Sequence, residues 1–239
     1  MSRQKTSTRK QLKTLIILVS VTILYLIYRY QGSADFFILY LNRSFNYSDA
    51  QASAQYYQWG MALFVLGFIP ALIIKLGFRE RVRDYGLQLR RPLMVLLIAL
   101  LGIAFLTPLV YFGSKNYQFQ ALYPLVLNAG NSPAAFVKSA FFYFLYYVGY
   151  EFCFRGFLFM GIKDDIGDWQ ALGVSLIATV LLHVSQPQAE MIMAVFAGVA
   201  FPLIVKKMRT IWPVVFIHAY AGIALDYWII MARGGFSYT

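Results

Sequence analysis

The chain of 239 residues is short of almost everything a water-soluble domain needs. Charged residues make up 13% of it, against about a quarter in ordinary globular proteins, and only ten of them are acidic. There is one cysteine, Cys153, and there are two histidines, His183 and His218. A single cysteine excludes an intramolecular disulfide, and no CxxC or Cys/His spacing exists for a structural metal module. No internal repeat or low-complexity tract is visible, which argues against a solenoid or a transporter built from inverted repeats. The scarcity of acids leaves a formal charge of +11, but the bases sit in short stretches beside apolar runs. That placement suits membrane orientation and lipid headgroups and nearly excludes nucleic acid as a partner.

What the chain does have is apolar mass, 60% hydrophobic and 18% aromatic. A spanning helix needs roughly 20 mostly apolar residues, and suitable runs lie near 14–30, 57–76, 93–113, 134–160, 170–186, 189–205 and 211–232. The pattern predicts an all-α, polytopic transmembrane helix bundle of seven spans. An eighth would follow if the long fourth run or the region 30–56 hides a half-span. The first run continues to Tyr28 and Tyr30 without a small-residue cleavage site, so it reads as a retained anchor. Pro92, Pro133 and the Trp212-Pro213 pair mark helix starts. Segment 30–56, with sequons at Asn42-Arg43-Ser44 and Asn46-Tyr47-Ser48, reads as an external loop.

The basic residues test this map independently, because Lys and Arg concentrate on the cytoplasmic side. With a cytosolic N-terminus, Arg3, Lys5, Arg9, Lys10, Lys13, Lys75, Arg79, Arg81, Arg83, Arg90, Arg91, Lys163, Lys206, Lys207 and Arg209 all fall inside. Only Arg29, Arg43, Lys115, Lys138 and Arg233 fall outside or near it. The expected organisation is a basic cytosolic tail over 1–13, N-terminal spans over 14–133 with a basic loop at 77–92, and a helix core over 134–239.

Ionisable groups within hydrocarbon cost a few kcal/mol, so each needs a partner, a wet cavity or a function. They are Glu151 and Arg155 in the fourth run, His183 in the fifth, Glu190 entering the sixth, and His218 and Asp226 in the seventh. Glu151 and Arg155, four apart, share one helix face at ion-pairing distance. A structural salt bridge accounts for that pair alone. At about 1.5 Å per residue, however, His183, Glu151 and His218 reach depths at which they can meet. A carboxylate removed from water becomes a stronger base, suited to taking a proton from water, while imidazoles can hold that water or stabilise an oxyanion. Peptide hydrolysis without a cofactor is the reaction this set fits. Zinc held by the same Glu and two His is an alternative, although HExxH spacing is absent. Cys153 falls about 200 degrees from Glu151 on a helix and reads as an inert packed residue rather than a nucleophile.

These residues resemble the CAAX-protease and bacteriocin-processing (CPBP, abortive-infection-type) family of intramembrane endopeptidases over about 135–230. The family's EExxxR signature, often continuing as FRG, is similar to Tyr150-Glu151-Phe152-Cys153-Phe154-Arg155-Gly156. Its aromatic-xxx-His motif is similar to Thr179 through His183, and its HxxxN motif to His218 through Gly222. Tyr85-Gly86-Leu87 is similar to a short element before the third span. The resemblance implies a glutamate-type membrane protease with Glu151, His183 and His218 as catalytic residues, acting on prenylated, lipidated or other membrane-associated peptides. The chain departs from the family at Tyr150, where the first motif glutamate is expected, at Thr179, and at Gly222, where an asparagine would help form an oxyanion hole. A family branch with a His-x-x-x-Pro-x-x-Glu pattern is similar to His183 through Glu190. Supporting roles therefore extend to Arg155, to Glu190 as a second candidate base, to Asp226 as an orienter of an imidazole, and to Tyr150 as an oxyanion donor or a packed tyrosine. The alternative is a catalytically inactive member that binds membrane peptides or lipid tails.

Overall fold

Seven main helices carry the chain, and no strand occurs among residues 2–43, 46–184 and 186–237, which the computed structural model describes. They are α1 (Ser2–Tyr30), α2 (Tyr47–Phe78), α3 (Pro92–Gly113), α4 (133–166), α5 (Asp168–Leu182), α6 (Gln188–Met208) and α7 (Trp212–Ala232). Among the described residues, five helices are long and apolar enough to cross a membrane: α1 from Thr8, α2, α3, α6 and α7. The fourth helix is longer still but carries Lys138, Glu151 and Arg155, and α5 has only 15 residues. The protein is thus an all-α bundle of membrane-spanning type.

Local chemistry explains the boundaries. Proline stands in the first turn of α3, α4 and α7, where its missing N–H costs nothing. The region 30–56 is not the loop its polarity implied. Asn46 accepts hydrogen bonds from the backbone of Ser48 and Asp49, so α2 begins at Tyr47, ten residues earlier than hydropathy indicates. Before it lie only the short helices Ala34–Phe36 and Phe37–Leu41, too short to cross a bilayer. Ser44 of the first sequon lies outside the described residues. At the other extreme α5 ends at Leu182, short of the expected 186, because His183 adopts a non-helical cap conformation.

The basic stretches that the sequence puts on one side meet at one end of the bundle. Lys13 bonds Glu80 at 2.8 Å, Lys10 and Thr14 reach Asp165, Lys206 pairs with Asp168, and in the loop after α6 the Arg209 carbonyl accepts from the Gln88 side chain while Thr210 Oγ1 donates to the Gln88 carbonyl. At the opposite end Gln51 holds Leu125, and Arg233 holds the carbonyls of Gln120 and Tyr123.

The fourth helix is the central one. Every residue from Phe152 to Met160 is buried, in contact with α1, α2, α5 and α6, whereas α3 leaves Leu93 and Phe112 exposed. Lipid tails are as apolar as these side chains, so close packing and hydrogen bonds, rather than escape from water, hold the helices. Gly149 shows how close: a Cβ there would lie 2.5 Å from the Ala62 carbonyl of α2. From Phe152 to Met160 the backbone also widens from α to π winding, a feature that recurs at functional sites.

Candidate active site

The widened segment of α4 begins one residue after Glu151 and contains Arg155. Both side chains are 0% exposed, a costly burial unless the charges compensate each other. They do, with Arg155 Nε 3.4 Å from Glu151 Oε2. The other carboxylate oxygen, Oε1, accepts a 2.6 Å hydrogen bond from His218 Nδ1 on α7. Arg155 Nη1 donates to Thr179 Oγ1 of α5 at 2.6 Å, and Thr179 donates onward to the Ser175 carbonyl. His183 Nδ1 donates to the Thr179 carbonyl at 2.8 Å. A continuous line of contacts therefore runs from His218 through Glu151, Arg155 and Thr179 to His183. Since carboxylate and carbonyl oxygens only accept, both imidazoles carry their proton on Nδ1. In the neutral form of such a ring, Nε2 carries the lone pair.

A cavity of about 760 Å³ opens beside this line, walled by apolar residues of α3, α6 and α7 such as Phe105, Met193, Ala197 and Leu225. Arg155, Thr179, His183 and His218 border it. Glu151 does not: it lies behind His218 in the α4–α7 interface, where its carboxylate holds the imidazole that borders the cavity. Glu190, in the first turn of α6, is the one acid bordering the cavity among the described residues, and it accepts a bond from Tyr123 Oη at 3.1 Å. Burial raises the Tyr123 hydroxyl well above its ordinary pKa, with the nearby carboxylates adding to the effect, so it remains a donor.

Two expected supporting roles do not fit the geometry. Asp226 touches no imidazole; its carboxylate accepts from the Leu125 backbone N–H at 3.2 Å and ties down the 123–126 segment. Tyr150 is packed, 3% exposed, with its ring against Tyr146, Phe154 and the His218 ring, and it does not border the cavity. Cys153 is buried in the apolar core away from the cavity. Ser185, within the His183–Glu190 motif, lies outside the described residues. Among the described residues no three His, Cys, Asp or Glu side chains gather to hold a metal ion, so the zinc alternative lacks a ligand set.

Two residues acquire meaning only in the fold. Thr179, a departure from the aromatic of the motif, is the partner of Arg155. Gly222 stands where the motif has asparagine, and a Cβ there would lie 2.7 Å from both Tyr143 Cζ and Tyr147 Oη. Two tyrosines of α4 occupy the space that an asparagine side chain would need. The spacing of Tyr147 four residues before Glu151 was the available signal, though it singles out no role.

Comparison with known proteins places the chain by a family model. The family model described as "Type II CAAX prenyl endopeptidase Rce1-like" matches residues 58–224, from within α2 to within α7. The matched range includes Glu151, Arg155, His183, Glu190 and His218 and stops short of Asp226. No curated protein and no solved structure matches.

Proposed function

Because the chain belongs to the Rce1-like family of type II CAAX prenyl endopeptidases, we propose that it hydrolyses a peptide bond of a prenylated or otherwise lipidated, membrane-associated protein at the site around Glu151, His183 and His218. The observation that carries this reading is the 2.6 Å bond from His218 to the buried Glu151 carboxylate at the wall of an otherwise apolar cavity. Apolar walls suit a lipid tail, and a carboxylate-held imidazole suits proton transfer.

In the proposed reaction, water is held by the lone pairs of His218 Nε2 and His183 Nε2. His218 Nε2 takes a proton from it as the water oxygen bonds the carbonyl carbon, and Glu151 stabilises the imidazolium that results. The carbonyl π pair moves to oxygen. As the oxyanion pair returns to re-form the C=O bond, the C–N bond breaks and its electron pair leaves with nitrogen, which receives the proton back from His218. Glutamate thus acts through histidine, and Arg155 pairs with Glu151 behind it. No cofactor enters.

The second reading, an inactive family member that binds membrane peptides or lipid tails, draws on the position of Glu151 away from the cavity. Purified full-length protein in detergent, given a farnesylated CaaX peptide with and without chelator, separates the two. Cleavage that survives chelator and falls at least about 100-fold in folded His218→Ala, His183→Ala and Glu151→Gln supports the protease. Full activity in Glu151→Gln with loss in Glu190→Gln would move the base to Glu190. Binding of the peptide without cleavage would leave only the second reading.

A further inference from the structure

The α4 and α7 helices cross antiparallel, so their contacts step in opposite directions along the chain. Glu151 meets His218 on one turn; on the next, Tyr147, four residues earlier, meets Gly222, four residues later. The Tyr147 ring centroid lies 4.3 Å from that of His218. Both Tyr147 and Gly222 border the cavity. Tyr147 Oη donates to Tyr143 Oη at 3.1 Å, and Tyr143 is itself buried and does not border the cavity.

A carbonyl attacked here needs a hydrogen-bond donor for the negative charge that develops on its oxygen. Both imidazoles spend their Nδ1 hydrogen bond on Glu151 and on the Thr179 carbonyl, and Tyr123 spends its hydroxyl on Glu190. Arg155 turns Nε to Glu151 and gives Nη1 to Thr179, and its unpartnered Nη2 is buried without exposed surface. We infer that Tyr147 supplies the missing donor, its hydroxyl turning from Tyr143 to the substrate oxygen, with Gly222 reserving its place. The inference rests on the proposed hydrolysis. One helical turn is about 5.4 Å, and a reacting centre within about 3 Å of each of two groups fits between groups at that separation. Through the reaction Tyr147 keeps its proton: it accepts no bond and loses none, and only redirects its hydrogen bond as the carbonyl π pair moves to oxygen and returns.

The test uses full-length protein in detergent and a farnesylated CaaX peptide. Tyr147→Phe is expected to lower kcat about 100-fold with KM within about twofold of wild type and an unchanged melting temperature. Tyr143→Phe, which removes only the resting partner of the hydroxyl, should keep kcat within about threefold. Should Tyr147→Phe fail to fold, Gly222→Ala, which displaces the hydroxyl while keeping it, is expected to lower kcat at least about tenfold at similar KM. Near wild-type kcat in either folded variant, while His218→Ala is inactive, overturns the role of Tyr147 and leaves the protease standing. A loss confined to KM overturns it as well. A wild-type chain that binds the peptide and never cleaves it overturns the proposed function and this inference together.

Discussion

Arg155 carries a full charge at 0% exposure in the middle of the packed helices, and its three nitrogens are unequally served. Nη1 has Thr179, Nε faces Glu151 at 3.4 Å, and Nη2 has no hydrogen-bond partner among the described residues. A buried ion pair adds little net stability over an apolar pair, but removing one member strands the other charge. Arg155→Ala should therefore destabilise the protein by about 3 to 5 kcal/mol in thermal or chemical unfolding in detergent, beyond any loss of activity. Thr179→Val keeps the shape and leaves Nη1 unpaired, for which about 1 to 3 kcal/mol is expected. If Arg155→Ala melts with the wild type, the charge is not compensated by Glu151 as described. Glu151→Gln should be milder in stability than Arg155→Ala, because an amide still accepts from His218.

Among the elements, α1 matters beyond anchoring. It docks on the basic loop through Lys13, whose amine bonds both oxygens of Glu80, while Tyr85 Oη donates to the same carboxylate at 2.6 Å. Partial burial alone would raise the Glu80 pKa, but the hydrogen bonds from Lys13 and Tyr85 and the Lys13 charge outweigh it and hold the group below its ordinary value. A depressed folded-state pKa contributes stability that is fully present above the unfolded value, about 4.3, and is lost as pH falls through the folded value. Wild type should thus melt above Glu80→Gln at pH 7, with the gap closing as pH drops below about 4. A gap independent of pH would remove the ion pair from the docking of α1. The shortness of α5 has a function of its own in this scheme: by ending at Leu182 it frees His183 to bond the Thr179 carbonyl through Nδ1 at the border of the cavity.

For the whole molecule, the placement of the bases bears on orientation. The structure collects the N-terminal tail, the 79–91 loop, Asp165 and the 206–210 turn at one end, and we propose that this end is cytosolic because it carries most of the bases. The single cysteine is buried, so replacing Cys153 with alanine gives a clean background. Cysteines introduced at Arg81 and Lys207 should then label from the cytosolic side and one at Lys115 from the other. Labelling of Arg81 from outside would invert the map.

Composition and hydropathy alone determined the solvent of this protein, its helical class and the helix starts at Pro92, Pro133 and Trp212, because a bilayer leaves a chain few ways to satisfy its backbone. They also put Glu151 beside Arg155, since residues four apart on one helix are neighbours whatever packs around them. The capped start of α2 was written in Asn46 but masked by the polarity around it. Which group faces the cavity was decided by the crossing of α4 over α7. Spacing along one helix fixes neighbours on that helix, but the partner of a side chain on another helix depends on crossing angle and rotation, which single-chain periodicity does not encode. That is why Glu151 lies behind His218, why Asp226 holds Leu125 instead of an imidazole, and why Gly222, a loss when read along the sequence, is the space in which the Tyr147 hydroxyl fits.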